Sequence, residues 1–300
     1  MLFYLLLGFL AGAALLGGAG WGQRRRTRRA LASLTAQVHS LTRPAGARRL
    51  TSPPAADTFL LTRGLNELLE RQQAAADEQQ HLVALAAHQL RTPLTSITAQ
   101  IEVTLIRPRS VERHEETWRS VLQDITSFNH LADDLLLLAQ LSAGRLTTLR
   151  PVAPDEVLYR AGAKLKARRP GYEIELDFDP LLAELPGPLT IFGDADLLEH
   201  AFRHLLDNGC RFSPGQRVQV RLSLDEKNAV LQFQDRGPGI AAHELPYVFE
   251  PFFIGENGRQ LPGHGLGLPL AQRVVQLHRG SIAIAAEPAG TVVTVRLPLK

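Results

Sequence analysis

The sequence predicts a multidomain chain: an N-terminal transmembrane helix, a helical hairpin that becomes a four-helix bundle in a dimer, and a C-terminal α+β sandwich. Three observations predict it. Residues 1–22 carry no charge and lead straight into an arginine cluster, residues 83–139 repeat apolar side chains at heptad spacing, and beyond Pro151 short runs alternate apolar and polar residues between helical segments. At 300 residues and 45% hydrophobic content the chain has room for roughly two domains plus connectors. Its single cysteine, Cys210, excludes an internal disulfide framework and a thiolate zinc cluster, and reads as a small buried residue in a reducing compartment.

As a helix, residues 1–22 reach about 30 Å, the thickness of a bilayer core. The net charge of +3 is concentrated in Arg24, Arg25, Arg26, Arg28 and Arg29, immediately after Trp21. By the positive-inside rule these arginines hold the following chain in the cytoplasm, with Trp21 at the interface of a single-pass inner-membrane protein. A cleaved signal peptide is the alternative, but the segment lacks a basic leading region. On this reading only a residue or two precede the span, so no external sensing domain is expected. The arginines are neither spread along a helix face nor interleaved with aromatics, so nucleic acid is not an expected partner.

Residues 23–79 read as a connector. Leu31, Leu34, Val38 and Leu41 form an amphipathic stretch, which Arg43-Pro44-Ala45-Gly46 and Ser52-Pro53-Pro54 interrupt. A second helix starts near Asp57 and carries Phe59, Leu60, Leu65, Leu68 and Leu69. A helix-loop-helix linker and an extended loop before a plain coiled-coil lead-in both fit this pattern.

Residues 80–145 read as two antiparallel helices. Val83, Ala87, Leu90, Leu94, Ile97 and Ile101 alternate spacings of four and three, and Trp118, Val121, Ile125, Phe128, Ala132, Leu135 and Ala139 continue the pattern after Arg107-Pro108-Arg109-Ser110. The second helix ends at Ser142-Ala143-Gly144. Two helices cannot enclose a core, so the physical expectation is a homodimer with a four-helix bundle. His88 lies one position off the seam and faces outward, where a large substrate can reach a nucleophilic imidazole. Thr92 follows one turn later. Pro93 removes a helix hydrogen bond at a typical cost of about 3 kcal/mol, which favours a special site over a merely solvated histidine.

From 150 to 300 the pattern is mixed. Half-buried strands are expected at Ile174/Leu176/Phe178, Val218/Val220/Leu222, Leu231/Phe233, Ile282/Ile284 and Val293/Val295/Leu297, with helices at about 154–166, 195–212 and 267–278. Without strict βαβ alternation these make one sheet with helices on a single face. Asn208 and Arg211 share a helix face, and an amide oxygen beside a guanidinium suits a magnesium triphosphate. In Asp235-Arg236-Gly237-Pro238-Gly239-Ile240 an acceptor-only carboxylate can take a hydrogen bond from an exocyclic amine, while Gly237 and Gly239 turn the backbone; a plain turn after a strand is the alternative. Phe249-Glu250-Pro251-Phe252-Phe253 precedes a glycine-bearing loop that reads as a lid, or as an aromatic anchor for one. Gly263-His264-Gly265-Leu266-Gly267-Leu268 then opens a helix whose exposed N–H groups suit phosphate. GxGxG after a loop is not the GxGxxG after a strand that a dinucleotide fold requires.

Taken in order, these segments resemble the motifs of bacterial sensor histidine kinases over about residues 80–300. His88-Gln89-Leu90-Arg91-Thr92-Pro93-Leu94 resembles the phosphoacceptor box, Glu199–Pro214 the N-box, 235–240 the G1 box, 249–253 the F-box and 263–268 the G2 box. The resemblance implies the Bergerat ATP-binding fold with ATP and Mg2+ as ligands. It makes His88 the phosphoacceptor, with Gln89 beside it and Thr92 positioning water for dephosphorylation of a separate cytoplasmic response regulator. Asn208 becomes the Mg2+ ligand, Asp235 the adenine reader, and Arg211, Gly237, Gly239, Phe249, Gly263, Gly265, Leu266 and Gly267 the nucleotide cradle. Residues 23–79 resemble a degenerate HAMP linker, and Gln89 with Ala86-Ala87 is similar to the tricarboxylate-transport subgroup.

The sequence departs from the family pattern at three positions. Gln89 replaces the usual acid, so it can hydrogen-bond the imidazole proton but not accept it. His204 stands where the N-box has asparagine, and Arg211 where it has lysine. A nucleotide-binding pseudokinase or a phosphatase-dominant regulator is therefore the alternative. A Bergerat ATPase of the chaperone, gyrase or mismatch-repair class would require neither the hairpin nor the span.

Overall fold

The computed structural model describes residue 32 and residues 56–106, 110–142, 148–184, 187–261, 263–287 and 290–299. The expected span at 1–22, the arginine cluster and the helix breakers of the connector lie outside the described residues. Among the described residues no helix is long and apolar enough to cross a membrane. Two units, residues 1–81 and 82–300, divide the chain, and the first is helical from residue 56.

Helix α1, Ala56–Ile106, starts one residue before the expected Asp57 and runs without a break through Pro93. Pro93 has no N–H to give the Gln89 carbonyl. The Thr92 hydroxyl donates to the His88 carbonyl at 3.4 Å, and Thr95 and Thr98 bond back to Arg91 and Leu94 in the same way. Helix α2, Val111–Ser142, begins after Ser110, whose carbonyl accepts from His114 N–H at 3.1 Å. The Gln100 amide donates to Asp124 at 2.9 Å across the two helices.

The heptad seam divides into two parts. Of the expected positions, Ile97 and Val121 are buried, whereas Val83, Leu94, Trp118 and Ile125 remain exposed; farther along the second helix the buried residues are Leu131 and Leu138, one position before the expected Ala132 and Ala139. Two helices can cover only part of each other's apolar stripe, so a single chain leaves part of the seam exposed. The rest is a face suited to a second copy.

The C-terminal part contains β1 (Arg150–Val152), α3 (Pro154–Arg168), β2 (Glu173–Phe178), β3 (Ile191–Gly193), α4 (Ala195–Phe212), β4 (Arg217–Leu224), β5 (Asn228–Asp235), α5 (Gly267–Leu277), β6 (Ser281–Glu287) and β7 (Gly290–Pro298). The main sheet has order β2-β4-β5-β7-β6; β2 and β4 are parallel and the other pairs antiparallel. Val218, Val220 and Leu222 alternate inward with polar neighbours outward, and α3, α4 and α5 cover that face. Phe202, Leu205 and Leu206 of α4 sit in this core against Leu231 and Phe233. Each fully buried side chain of this size contributes about 1.5–3 kcal/mol. Hairpin and sandwich are thus as expected, but Phe178 at the end of β2 is exposed. The β1–β3 pair and the 3-10 turns at Pro180–Glu184, Leu245–Tyr247 and Glu256–Gly258 were not anticipated, being too short to show a period.

Helix α4 carries the N-box-like residues, and its start is fixed chemically. The Asp194 carboxylate accepts from the N–H groups of Asp196 at 3.0 Å and Leu197 at 3.1 Å, an N-cap that satisfies two orphan donors.

Candidate functional site

A cavity of about 320 Å³ opens where the C-terminal end of α4, the end of β5 and the loop before α5 meet α2. Asn208, Arg211, Asp235, Gly239, Gly263, Gly265, Leu266 and Gly267 all line it, so the structure brings together residues that the sequence spreads over sixty positions. Gly237, in the same turn, is not among the lining residues. A side chain at Gly237 would come within 2.8 Å of the Phe212 carbonyl, so the close approach of this turn to α4 depends on glycine.

Asp235 is buried, and one carboxylate oxygen accepts from Gly237 N–H at 2.8 Å and Thr291 N–H at 3.3 Å. Burial raises its pKa above the usual aspartate value against the lowering effect of these bonds. It is thus a rigidly oriented acceptor at the cavity wall. On α4 the Arg211 guanidinium donates to the Asn208 amide oxygen and sits 5.3 Å from the Phe212 ring centroid. Asn208 presents a hard oxygen donor within the cavity, and Mg2+ accepts such a single protein ligand with phosphates and waters. Gly263 rests against the same guanidinium, and Leu266 and Gly267 set the positive end of α5 at the cavity.

The loop between the two glycine-rich segments is tied down at both ends. The buried Glu244 carboxylate accepts from Glu256 N–H at 2.8 Å, and the Asn257 amide donates to the Gly239 carbonyl at 3.1 Å. At the far end, Phe252 N–H donates to the Gly265 carbonyl at 3.0 Å. Phe249 is corrected: it does not line the cavity, whereas Val248 and Phe253 do. The turns after Leu245–Tyr247 direct these neighbours inward instead, a choice that a run of aromatics does not reveal.

His88 is exposed on α1 and Gln89 is partly buried; neither lines the cavity, and nor does Thr92. Two positions along from His88, Leu90 packs with Leu131, Leu138, Leu266 and Leu270 in a small apolar cluster joining the hairpin to α5. The cavity also includes residues of α2 that the sequence reading did not single out, Ser127 and Asp134 among them. Ser127 Oγ lies 3.2 Å from His264 Nε2. His204, placed in the asparagine position of the N-box, turns toward Asp134 and His200. Burial alone would raise the Asp134 carboxyl, but the His200 and His204 rings facing it outweigh that and hold it well below the usual carboxylate range. Burial pushes His200 down, toward the neutral ring. Cys210 is buried in the main core, and desolvation pushes its thiol up to about 12, away from the reactive thiolate.

Residues 78–144 match the family described as the His Kinase A (phospho-acceptor) domain, and residues 193–300 match the histidine kinase-, DNA gyrase B-, and HSP90-like ATPase family. The chain is 32% identical over 300 residues to the signal transduction histidine-protein kinase/phosphatase MprB of Mycolicibacterium smegmatis, covering 96% of this chain and 59% of that protein. It is 34% identical over 256 residues to the probable sensor histidine kinase TcrY of Mycobacterium tuberculosis, covering 82% of this chain and 53% of the relative. The chain therefore spans a little over half the length of these curated relatives. Among solved structures, the Acinetobacter baumannii histidine kinase AdeS superposes with a TM-score of 0.53 at 22% identity, over 71% of this chain and 98% of that one, a likeness of fold. Neither curated relative is named for tricarboxylate transport, so that finer expectation gains nothing from them.

Proposed function

We propose that this chain, which its family matches place among the two-component sensor histidine kinases, phosphorylates His88 from Mg-ATP and passes the phosphoryl group to an aspartate of a separate response regulator. The observation that carries this reading is the convergence of Asn208, Arg211, Asp235 and the glycines before α5 on one cavity, in the same unit as a hairpin bearing an exposed histidine. Asp235 takes the adenine amine, Arg211 and the backbone N–H groups at the start of α5 hold the triphosphate, and Asn208 holds the ion. When bound, Mg2+ would supply charge neutralisation for the triphosphate.

The imidazole lone pair of His88 forms the N–P bond as the bond from the γ-phosphorus to the ADP oxygen breaks, and the ring proton leaves to solvent. Gln89 orients that proton without accepting it. Since His88 does not line the cavity, transfer requires a movement that brings the γ-phosphate to it. The exposed seam residues Val83, Leu94, Trp118 and Ile125 support a homodimer closed as a four-helix bundle. Residues 1–22 are proposed as a single inner-membrane span and 23–79 as a HAMP-like connector, which leaves the catalytic part in the cytoplasm.

A second reading, a regulator in which dephosphorylation outweighs weak autophosphorylation, is favoured by one observation, the amide of Gln89 where the family carries an acid. Full chain incubated with γ-labelled ATP and Mg2+ distinguishes the two. Autophosphorylation gives an acid-labile, base-stable label that His88→Ala abolishes; nucleotide binding with no label leaves the second reading.

A further inference from the structure

Three side chains from two helices close a triangle at the wall of the cavity, which Asp134 and His204 line. His200 Nε2 lies 2.9 Å from Asp134 Oδ1, His204 Nε2 lies 3.2 Å from the same oxygen, and the two Nε2 atoms are 3.0 Å apart. His200 and His204 are one turn apart on α4 and so share the face that meets Asp134 of α2. All three are partly buried.

Protons do not close this triangle well. An ionised carboxylate only accepts, and a ring nitrogen either donates or accepts. If both rings direct N–H at Oδ1, two N–H groups crowd each other at 3.0 Å. If one does, the other ring turns a lone pair onto an anionic oxygen. One cation at the centre satisfies all three atoms. Zinc bonds of about 2.0–2.1 Å at tetrahedral angles place neighbouring donors roughly 3.3 Å apart, within a few tenths of an ångström of the separations here. Two imidazoles and one carboxylate suit Zn2+ with water in the fourth position, whereas Mg2+ prefers oxygen throughout.

We propose that Asp134, His200 and His204 form a divalent transition-metal site, of the zinc class, that fastens the ATP-binding domain to the helical hairpin. It goes beyond the phosphotransfer reading. The Arg203 guanidinium donates to His200 Nδ1 at 2.9 Å, which places the ring proton on Nε2. Ligation through Nε2 moves that proton to Nδ1, so loading displaces Arg203. The bound ion holds α4, with Asn208 one turn beyond His204, against α2, in an arrangement where His88 does not line the cavity.

Untagged, metal-stripped full chain without nucleotide is titrated with Zn2+ against a chromophoric chelator, and separately with Co2+. Expected are one Zn2+ per chain and the visible bands of tetrahedral cobalt. Asp134→Asn and His204→Asn should each weaken Zn2+ binding by more than the roughly 10–100-fold typical of losing an outer partner, and abolish the cobalt bands. Zn2+ affinity unchanged in both variants, or no tetrahedral cobalt spectrum in the wild type, overturns the site. If either variant is unfolded by circular dichroism, the wild-type cobalt spectrum decides. Because ATP is absent, the result is independent of whether His88 is phosphorylated.

Discussion

The backbone N–H of Asp194 donates to His278 Nε2 at 2.8 Å, and the opposite ring nitrogen, Nδ1, lies 2.7 Å from the Val274 carbonyl. A carbonyl only accepts, so Nδ1 carries the ring proton and Nε2 is bare: His278 is a neutral imidazole in one tautomer. It is 2% exposed and joins the end of α5 to the N-cap of α4, the helix that presents Asn208.

Stability is therefore expected to depend on pH through His278. Burial lowers its pKa, outweighing the raising effects of the Val274 bond and the Asp194 charge. The unfolded chain protonates its histidine near the ordinary value of about 6.5, whereas the folded chain takes up that proton only at lower pH. The contribution is thus fully present above about pH 6.5 and is lost as pH falls below it toward the folded value. Urea unfolding at several pH values should show a smaller loss of midpoint on acidification for His278→Gln than for wild type. Parallel curves would remove His278 from the account.

The nucleotide assignment rests on Asp235. Asp235→Asn keeps an oxygen that can accept from Gly237 and Thr291, so the turn is expected to hold. It loses the charge that, in the proposed function, meets the adenine amine, and a hydrogen bond to a charged group contributes about 1.5–3 kcal/mol. Titration with a fluorescent ATP analogue should show a fall in affinity of about 10- to 100-fold, with the oligomeric state unchanged by light scattering. Unchanged affinity would mean that another group reads the base.

The elements legible in the sequence are those with a repeated period. Val218/Val220/Leu222 announces β4 because one face of the strand is buried and the other wet, and the same physics applies along α4. Three-residue strands such as Arg150–Val152 carry no full period and are fixed by pairing with Ile191–Gly193. In the site, Asn208, Asp235 and the glycines are legible because each belongs to a local segment whose spacing carries its chemistry. The approach of Asp134 to His200 and His204 is a contact across 66 and 70 positions, and helix packing alone sets it. Phe249 and Phe253 look alike as aromatics; only the path of the turn decides which reaches the cavity.

Gly265 and Gly263 both line the cavity, yet they should differ sharply under substitution. Gly265 has φ of +67°, and an added Cβ would meet the Phe253 carbonyl oxygen at 2.6 Å and the Phe252 backbone at 2.7 Å. Phe252 is itself held at φ of +66°, and its N–H bonds to Gly265, so neither strand of this contact can shift alone. At Gly263 the obstacle is the Arg211 guanidinium, the far end of a flexible side chain that can swing aside. Gly265→Ala should therefore cost about 1–3 kcal/mol, a left-handed alanine plus a backbone collision, and lower ATP affinity with it. Gly263→Ala should leave the urea midpoint close to wild type while altering triphosphate binding through Arg211. Equal midpoints for the two variants would show that the Phe252–Gly265 contact does not hold the loop in place.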